Sequence, residues 1–155
     1  MDQILSKLYL GDISAAENGA TLRRIGITHI LSITQLSVSY PKRAVLVTKQ
    51  LELEDAPDAD VISIFPMTSH FIHEAITGEG VVLVHCDLGV SRSVIVVAAY
   101  LIQHCGYTLD SAFVHLRSKR AFVRPNASFQ RQLKAFCDTE YDVEKAHALL
   151  ASADR

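Results

Sequence analysis

The residues best suited to chemistry lie in a short loop between two apolar runs. Cys86 and Arg92 stand at its two ends, with Gly89 between them. The aliphatic run 81–84 before the loop predicts a buried strand, and the apolar run 93–102 after it predicts a buried helix. A loop that joins a strand to the first turn of a helix directs unpaired backbone N–H groups towards one point, where they bind anions.

The same loop combines a nucleophile with a positive charge. A cysteine at a helix N-terminus beside an arginine is held as the thiolate, the reactive form of the side chain. The guanidinium of Arg92 can bind two oxygens of one phosphate group. Gly89 supplies the turn and lets the backbone approach a ligand closely. The loop therefore offers its N–H groups as an anion-binding cradle, Cys86 as a nucleophile and Arg92 as a charge that can hold phosphate oxygens. Those N–H groups belong to Asp87, Leu88, Gly89, Val90, Ser91 and Arg92.

The motif around this loop resembles a known signature. It reads His85-Cys86-x-x-Gly89-x-Ser91-Arg92-Ser93. This pattern is similar to that of the cysteine-dependent protein tyrosine phosphatase superfamily, and specifically of the small dual-specificity protein phosphatases that consist of the catalytic domain alone. A bare Cys-x5-Arg pattern would be weak, since it also occurs in sulfur-transfer loops. Here the pattern stands between a strand and a helix, and the resemblance extends from about residue 4 to about residue 138.

The predicted chemistry also needs an acid, because a phosphoryl leaving group otherwise departs as an alkoxide or phenoxide. The acidic segment 51–60 is broken by a proline and predicts a loop that carries Asp55, Asp58 and Asp60. The residues alone leave all three open, and a solvated acidic turn would also explain them. The resemblance favours Asp55, which precedes Cys86 by 31 residues, the spacing of the acid in close relatives. Asp60 or Asp58 is expected to cap the next helix.

Three further residues are predicted to support the site. Neighbours on a strand point to opposite faces, so we expect His85 to hydrogen-bond behind the loop rather than to act as a base for Cys86. Ser93 is a possible helix cap, and the resemblance implies that its hydroxyl assists departure of the thiolate from a phosphocysteine. Asn126 is either a plain helix cap or, as the resemblance implies, a buried amide that tethers the catalytic loop.

A basic cluster follows the helix predicted at 109–116. It consists of Arg117, Lys119 and Arg120, with Arg124 close behind. Such a cluster is usually a solvated helix end that complements the helix dipole. The alternative is a basic rim that binds acidic substrate near the phosphate. Arg117 is the best single candidate for this contact, since some family members place a second phosphate contact there.

The succession of strands and helices predicts a single α/β domain, with a central, mostly parallel sheet of about five strands flanked by helices. The resemblance implies a protein tyrosine phosphatase-like fold of the dual-specificity type over residues 1–155. Strands are expected at 4–11, 27–33, 44–53 and 81–84, a turn at 41–43, and helices at 61–76, 93–102 and 109–116. Asp12 or Ser14 should cap a short helix. The segment 139–155 is expected to form a C-terminal helical tail.

Composition bounds the function further. The chain of 155 residues is 49% hydrophobic and 21% charged, and its net charge of −2 gives no sign of nucleic-acid binding. No apolar run approaches the ~20 residues of a membrane span, and the first residues lack a signal-peptide pattern. Three widely spaced cysteines suit a reducing compartment, so we expect a cytoplasmic or nuclear protein that does not bind membranes. No cofactor is expected, and His70 and His73 lack the further ligands of a metal site.

The motif and the resemblance together predict a phosphatase that acts on phosphoproteins, hydrolysing phosphotyrosine and phosphoserine or phosphothreonine through a phosphocysteine intermediate. A phospho-binding scaffold of the same fold is one alternative, against which the presence of Cys86, Arg92 and Asp55 argues. A sulfur-transfer enzyme is another, but it would need neither Asp55 nor Ser93. Phosphoinositides, glucan and RNA 5′-phosphates are the non-protein substrates left open. The oligomeric state and the physiological substrate do not follow from the sequence.

Overall fold

The computed structural model describes residues 1–42 and 45–154. Its centre is a five-stranded sheet in the order β1-β2-β5-β3-β4. The strands are β1 (Asp2–Leu5), β2 (Leu8–Gly11), β3 (His29–Ile33), β4 (Val47–Leu51) and β5 (Val82–His85). β1 pairs with β2 in the antiparallel direction, whereas β2, β5, β3 and β4 run parallel. The predicted α/β fold with a mostly parallel sheet of about five strands is confirmed.

Helices cover both faces of this sheet. Within the described residues they are α1 (Ile13–Glu17), α2 (Gly19–Ile25), α3 (Phe65–Thr77), α4 (Arg92–Cys105), α5 (Leu109–Lys119), α6 (Ala127–Asp138) and α7 (Val143–Ala153). The alternation along β5 divides the core between the two faces, because Val82 and Val84 pack with the larger cluster and Leu83 packs with the smaller one. Burial on both faces explains why this strand is an uninterrupted aliphatic run.

Several predicted boundaries were wrong in extent. The strand expected at 4–11 is a hairpin, since the chain turns at Ser6 and Lys7 and Leu5 pairs with Leu8. The strands expected at 27–33 and 44–53 are shorter, as β3 and β4 show. The turn expected at 41–43 and the start of the strand expected at 44 extend to residues 43 and 44, which lie outside the described residues.

Local chemistry explains where the helices begin. The side chain of Asp12 accepts a hydrogen bond from the Ala15 N–H and caps α1, as predicted. The helix expected at 61–76 begins as a short 3-10 turn, where the side chain of Asp60 accepts from the Ser63 N–H. Pro66 then falls in the first turn of α3, where its missing N–H breaks no helical hydrogen bond.

The carboxyl ends of the parallel strands meet at one edge of the sheet. There β5 leads into the loop 86–91 and then into α4, while Gly11 at the end of β2 pairs with His85 at the end of β5. Ligands of open α/β sheets bind outside this edge.

The predicted tail helix is also present as α7, which packs against α6 through the buried Ala146. No helix in residues 1–42 or 45–154 is long and apolar enough to cross a membrane.

Candidate active site

A cavity of about 350 Å³ opens at this edge of the sheet. Its lining consists of Asp55, Cys86, Asp87, Leu88, Val90, Ser91 and Arg92. The structure therefore brings together the predicted nucleophile, the predicted arginine and one predicted acid. Gly89 belongs to the same loop but does not line the cavity.

The carbonyl groups of the loop 86–91 all point away from this cavity, because each one accepts a hydrogen bond from a surrounding element. The donors are His85 Nδ1 to Cys86 (2.8 Å), the Ile13 N–H to Asp87 (3.1 Å), Arg120 to Leu88 (3.2 Å) and Gly89 (3.0 Å), the Arg124 N–H to Val90 (2.8 Å) and the Ile95 N–H to Ser91 (3.0 Å). The backbone N–H groups of 87–91 find no acceptor among the described residues. A planar peptide unit places its N–H opposite its C=O, so these donors are left for an anion.

Arg120 holds the turn of this loop, a role that differs from the one expected of the basic cluster. Its guanidinium is buried, donates to the carbonyls of Leu88 and Gly89, and forms an ion pair of 2.8 Å with Asp2 on β1. The ring centre of Phe122 lies 4.4 Å from the guanidinium carbon. The interpretation of Arg120 as part of a solvated helix end is therefore wrong. Every residue has a backbone carbonyl, so an acceptor of this kind cannot be recognised from the residue types, and no sequence signal pointed to this contact.

Gly89 is required by the same turn. Its φ of +68° lies in the left-handed region that L side chains rarely adopt. A Cβ at this position would come within 2.5 Å of the Arg120 guanidinium and 2.6 Å of the Gly11 carbonyl oxygen. The loop therefore fits closely between the end of β2 and the Arg120 side chain.

Cys86 and Ser93 lie side by side at the base of the cavity. Both are buried, and the Sγ of Cys86 lies 3.1 Å from the Oγ of Ser93. At this distance the hydroxyl can donate to a thiolate, which is the geometry that the predicted role of Ser93 in thiolate departure needs. The side chain of Ser91, the residue before α4, makes no capping bond to that helix.

His85 hydrogen-bonds behind the loop, as predicted. Burial lowers the pKa of His85 against the opposing effect of nearby carboxylates, so the imidazole is neutral near pH 7. Its Nδ1 donates to the Cys86 carbonyl oxygen, which leaves Nε2 to accept a hydrogen bond of 2.6 Å from Ser32. The hydroxyl of Tyr40 in turn donates to Ser32 at 2.5 Å. This chain of hydrogen bonds fixes the tautomer and faces away from the sulfur.

Asp55 is the one candidate acid that lines the cavity. Its Oδ1 accepts hydrogen bonds from Ser91 Oγ (2.6 Å) and from Asn126 Nδ2 (2.9 Å). Both bonds fall on Oδ1, so neither of them engages Oδ2. Asp60 instead bonds Ser63 and pairs with His147 on α7 at 3.0 Å, as expected of a capping residue.

Asn126 combines the two interpretations left open. Its Oδ1 accepts from the Phe129 N–H and caps α6, while its Nδ2 donates to Asp55. The expectation of a buried amide on the catalytic loop needs correction, because the side chain is half-buried and contacts the acid. The contact with the catalytic loop comes from its backbone N–H, which donates to Ser91 Oγ at 3.0 Å.

Arg92 is held from two sides and keeps donors for a ligand. Its NH1 donates to the carbonyl oxygen of Leu53 at 3.0 Å, and its NH2 lies 3.1 Å from the carboxylate of Asp87. The buried Nε has no partner among the described residues. An unpaired buried donor is costly, so this atom fits a site that binds an anion.

The remaining candidates lie elsewhere. Arg117 is not part of the cavity lining, and its guanidinium lies 5.5 Å from the ring centre of Phe113 on α5. Its contact with substrate therefore stays a prediction. His73 stacks on His104 with ring centres 4.3 Å apart. No group of three or more metal-binding side chains, His70 and His73 included, is placed to hold an ion in residues 1–42 or 45–154.

Comparison with known proteins gives the family of this chain. The family model described as "Dual specificity phosphatase, catalytic domain" matches residues 8–139. The chain belongs to the dual specificity phosphatase family. It is 38% identical over 140 residues to "Dual specificity protein phosphatase MPK-4" of Drosophila melanogaster, a match that covers 88% of this chain and 36% of that protein. It is 41% identical over 128 residues to "Dual specificity protein phosphatase 1" of Arabidopsis thaliana, covering 82% and 64%. The chain thus spans between about a third and two thirds of these curated relatives.

Solved structures of related proteins share the fold over nearly the whole chain. The human tyrosine phosphatase-like serine/threonine/tyrosine-interacting protein superposes with a TM-score of 0.84 at 31% identity, covering 92% of this chain and 98% of that one. Human DUSP28 superposes with a TM-score of 0.82 at 27% identity, covering 98% and 99%. These matches agree with the predicted protein tyrosine phosphatase-like fold.

The neutral state of His85 predicts a pH effect on stability. In the unfolded chain a histidine titrates near 6.5, whereas burial lowers its pKa in the folded protein. The unfolded state therefore takes up the proton first, and stability that is fully present above pH 6.5 is lost as the pH falls below it. His85→Asn, which keeps a donor for the Cys86 carbonyl, should reduce the difference in Tm between pH 7.5 and pH 5.5. The control is His147→Gln on α7; an equal reduction there would contradict the assignment.

Arg120 and Arg117 provide a matched pair for testing the loop. Hydrogen bonds to a charged group contribute about 1.5–3 kcal/mol each, so Arg120→Ala should weaken vanadate binding by about tenfold or more and lower the Tm. Arg117→Ala removes the same charge three residues earlier, in the last turn of α5, and should leave both nearly unchanged. Calorimetry of vanadate binding and thermal melts measure the two effects. Equal losses in the two variants would show that charge, rather than the loop contact, matters.

Proposed function

We propose that this chain is a cysteine-dependent protein phosphatase that hydrolyses phosphotyrosine and phosphoserine or phosphothreonine in phosphoproteins. The observation that carries the proposal is the hydrogen bonding of the loop 86–91. Its carbonyls all accept hydrogen bonds from the elements around it, so its N–H groups face the cavity that holds Cys86. Such a loop binds a phosphate group next to the sulfur, and Arg92 and Asp55 line the same cavity.

In the first step, the thiolate of Cys86 attacks phosphorus in line with the leaving oxygen. The equatorial oxygens are held by the loop N–H groups and by Arg92, whose unpaired Nε can donate to one of them. The P–O bond to the leaving group breaks as the S–P bond forms. The leaving oxygen takes a proton from Asp55, whose Oδ2 is not engaged by the bonds from Ser91 and Asn126.

In the second step, water attacks the phosphocysteine. Asp55, now ionised, accepts a proton from the water, and the S–P bond breaks to release inorganic phosphate. The electron pair returns to the sulfur of Cys86, where the hydroxyl of Ser93 at 3.1 Å stabilises the thiolate. Asp55 regains its proton and the thiolate is restored, so the cycle closes without any other reactant.

The cavity supports a protein substrate with either kind of phosphoresidue. Its walls are the short loop side chains and Asp55, and Leu88 at its rim is 73% exposed. We expect a cavity with such an exposed rim to accept a short phosphoserine as well as a long phosphotyrosine. The loop carries no lysine, a residue that phosphoinositide-directed relatives often have there.

The reactive thiol also bears on location and domain organisation. Phosphoryl transfer needs Cys86 reduced, and the cytoplasm and nucleus keep thiols reduced, so we place the protein there. The family match ends at residue 139, and α7 packs on α6 beyond it. We therefore assign residues 1–155 to one catalytic domain with a helical tail.

Binding without turnover is the second candidate. The observation that favours it is the similarity to a human protein described as tyrosine phosphatase-like and interacting. The presence of Cys86, Arg92 and Asp55 in one cavity argues for turnover. The two candidates differ in one measurable property, the release of phosphate.

The nucleophile is tested with Cys86→Ser. This variant should hydrolyse a small aryl phosphate at less than about a thousandth of the wild-type rate, because serine is not ionised, yet it should still bind phosphate. Hydrolysis is measured with a chelator present, and binding by calorimetry. Near wild-type turnover in Cys86→Ser would contradict the mechanism. Phosphate binding without turnover in the wild type would support the scaffold.

The acid is tested with Asp55→Asn against Asp58→Asn, an exposed carboxylate of the same loop. Catalysis requires Cys86 ionised and Asp55 protonated, so wild-type activity should follow a bell-shaped pH profile with a mildly acidic optimum. Asp55→Asn should lose about 10²–10⁴ of kcat and the alkaline limb of the profile. Asp58→Asn should resemble the wild type. An optimum above pH 8, or a larger loss in Asp58→Asn, would overturn the assignment of Asp55.

A further inference from the structure

We propose that the carboxylate of Asp87 competes with the bound phosphate group for the charge of Arg92. It thereby weakens the affinity of the cavity for free phosphate and other small oxyanions. The consequence is that a substrate must gain its binding energy from groups outside the phosphate. This inference rests on the proposed function and concerns a side chain that the mechanism does not use.

Asp87 is fixed in the cavity by two partners. Its Oδ2 lies 3.1 Å from NH2 of Arg92, and its Oδ1 accepts a hydrogen bond from the hydroxyl of Thr34, directly after β3. The side chain of Asp87 is 31% exposed and that of Arg92 is 11% exposed. The pair is therefore largely shielded from water. Charges in such a position interact more strongly than charges at the surface.

A phosphate group held next to Cys86 binds the same guanidinium. NH1 of Arg92 already donates to the Leu53 carbonyl oxygen, and Nε is the buried donor without a described partner. An anion that binds Nε and a neighbouring N–H places a second negative charge on one cation. Like charges within about 4–6 Å disfavour each other, so Asp87 raises the free energy of the bound dianion.

The side chain of Asp87 is not needed to shape the loop. Its backbone carbonyl is held by the Ile13 N–H, and the neighbouring carbonyls of Leu88 and Gly89 are held by Arg120. Arg92 has a separate contact, through NH1, with the carbonyl oxygen of Leu53. An asparagine can still accept from Thr34. The main effect of the carboxylate is therefore its charge.

This charge affects free phosphate and protein substrate differently. Inorganic phosphate binds only through the loop and Arg92, so it meets the full repulsion. A phosphoprotein also contacts the rim of the cavity, where Leu88 is exposed, and that binding energy offsets the repulsion. The expected outcome is weak inhibition by released phosphate with binding of phosphoprotein retained.

The test compares Asp87→Asn with the wild-type chain by calorimetry, using inorganic phosphate and vanadate as probes at low ionic strength. Removing the carboxylate should tighten binding of both probes about tenfold, and the gain should shrink as salt is added. The KM for a small aryl phosphate should fall in parallel. Asp58→Asn removes the same charge outside the cavity and should change none of these values. Asp87→Ser serves as a second neutral variant if Asp87→Asn does not fold.

Two results would overturn the proposal. One is oxyanion affinity within twofold of the wild type in both neutral variants, and the other is weaker binding in both. Either would show that Asp87 serves to position Arg92 instead. Because the affinities are measured without turnover, they stay informative if the wild type hydrolyses no phosphoester, the result that would defeat the proposed function alone.

Discussion

The site depends on turning six consecutive peptide groups of the loop 86–91 in one direction. Hydrogen-bond donors from five parts of the chain hold these carbonyls away from the cavity. They come from the end of β5, the first turn of α1, the end of α5, the segment before α6 and the first turn of α4. Because a buried polar group must be paired, each donor is both a structural requirement and a condition for anion binding.

One hydroxyl links this loop to the proposed acid. Ser91 Oγ donates to Asp55 and accepts from the Asn126 N–H, so three segments meet at one atom. The oxygen of Asp55 that could carry a proton is thereby set at a defined place relative to Cys86. A mobile acidic loop would sample many such places. The hydroxyl gives the cavity a rigid wall at the point where a leaving group would depart.

The sequence predicted the reactive residues of the loop better than the contacts that hold the loop in place. Few other residue types offer the side-chain chemistry of Cys86 and Arg92 or the backbone freedom of Gly89. The apolar runs beside them are long enough and apolar enough to predict a buried strand and a buried helix. Arg117 and Arg120, by contrast, are the same residue type at the end of one helix. Only the tertiary structure makes one of them buried. The hairpin of β1 and β2 was likewise hidden, because its turn contains neither glycine nor proline.

The ion pair between Asp2 and Arg120 joins residues 118 positions apart in sequence. Closing the intervening chain costs conformational entropy before this contact is gained, and the contact needs residue 120 to have been synthesised. Arg120 in turn binds the carbonyls of the turn whose N–H groups face the cavity. A chain emerging from the ribosome would therefore contain Cys86 long before it contains an anion site around it. In the proposed mechanism, the thiol therefore gains its reactivity towards phosphate esters only when β1 and the end of α5 have come together.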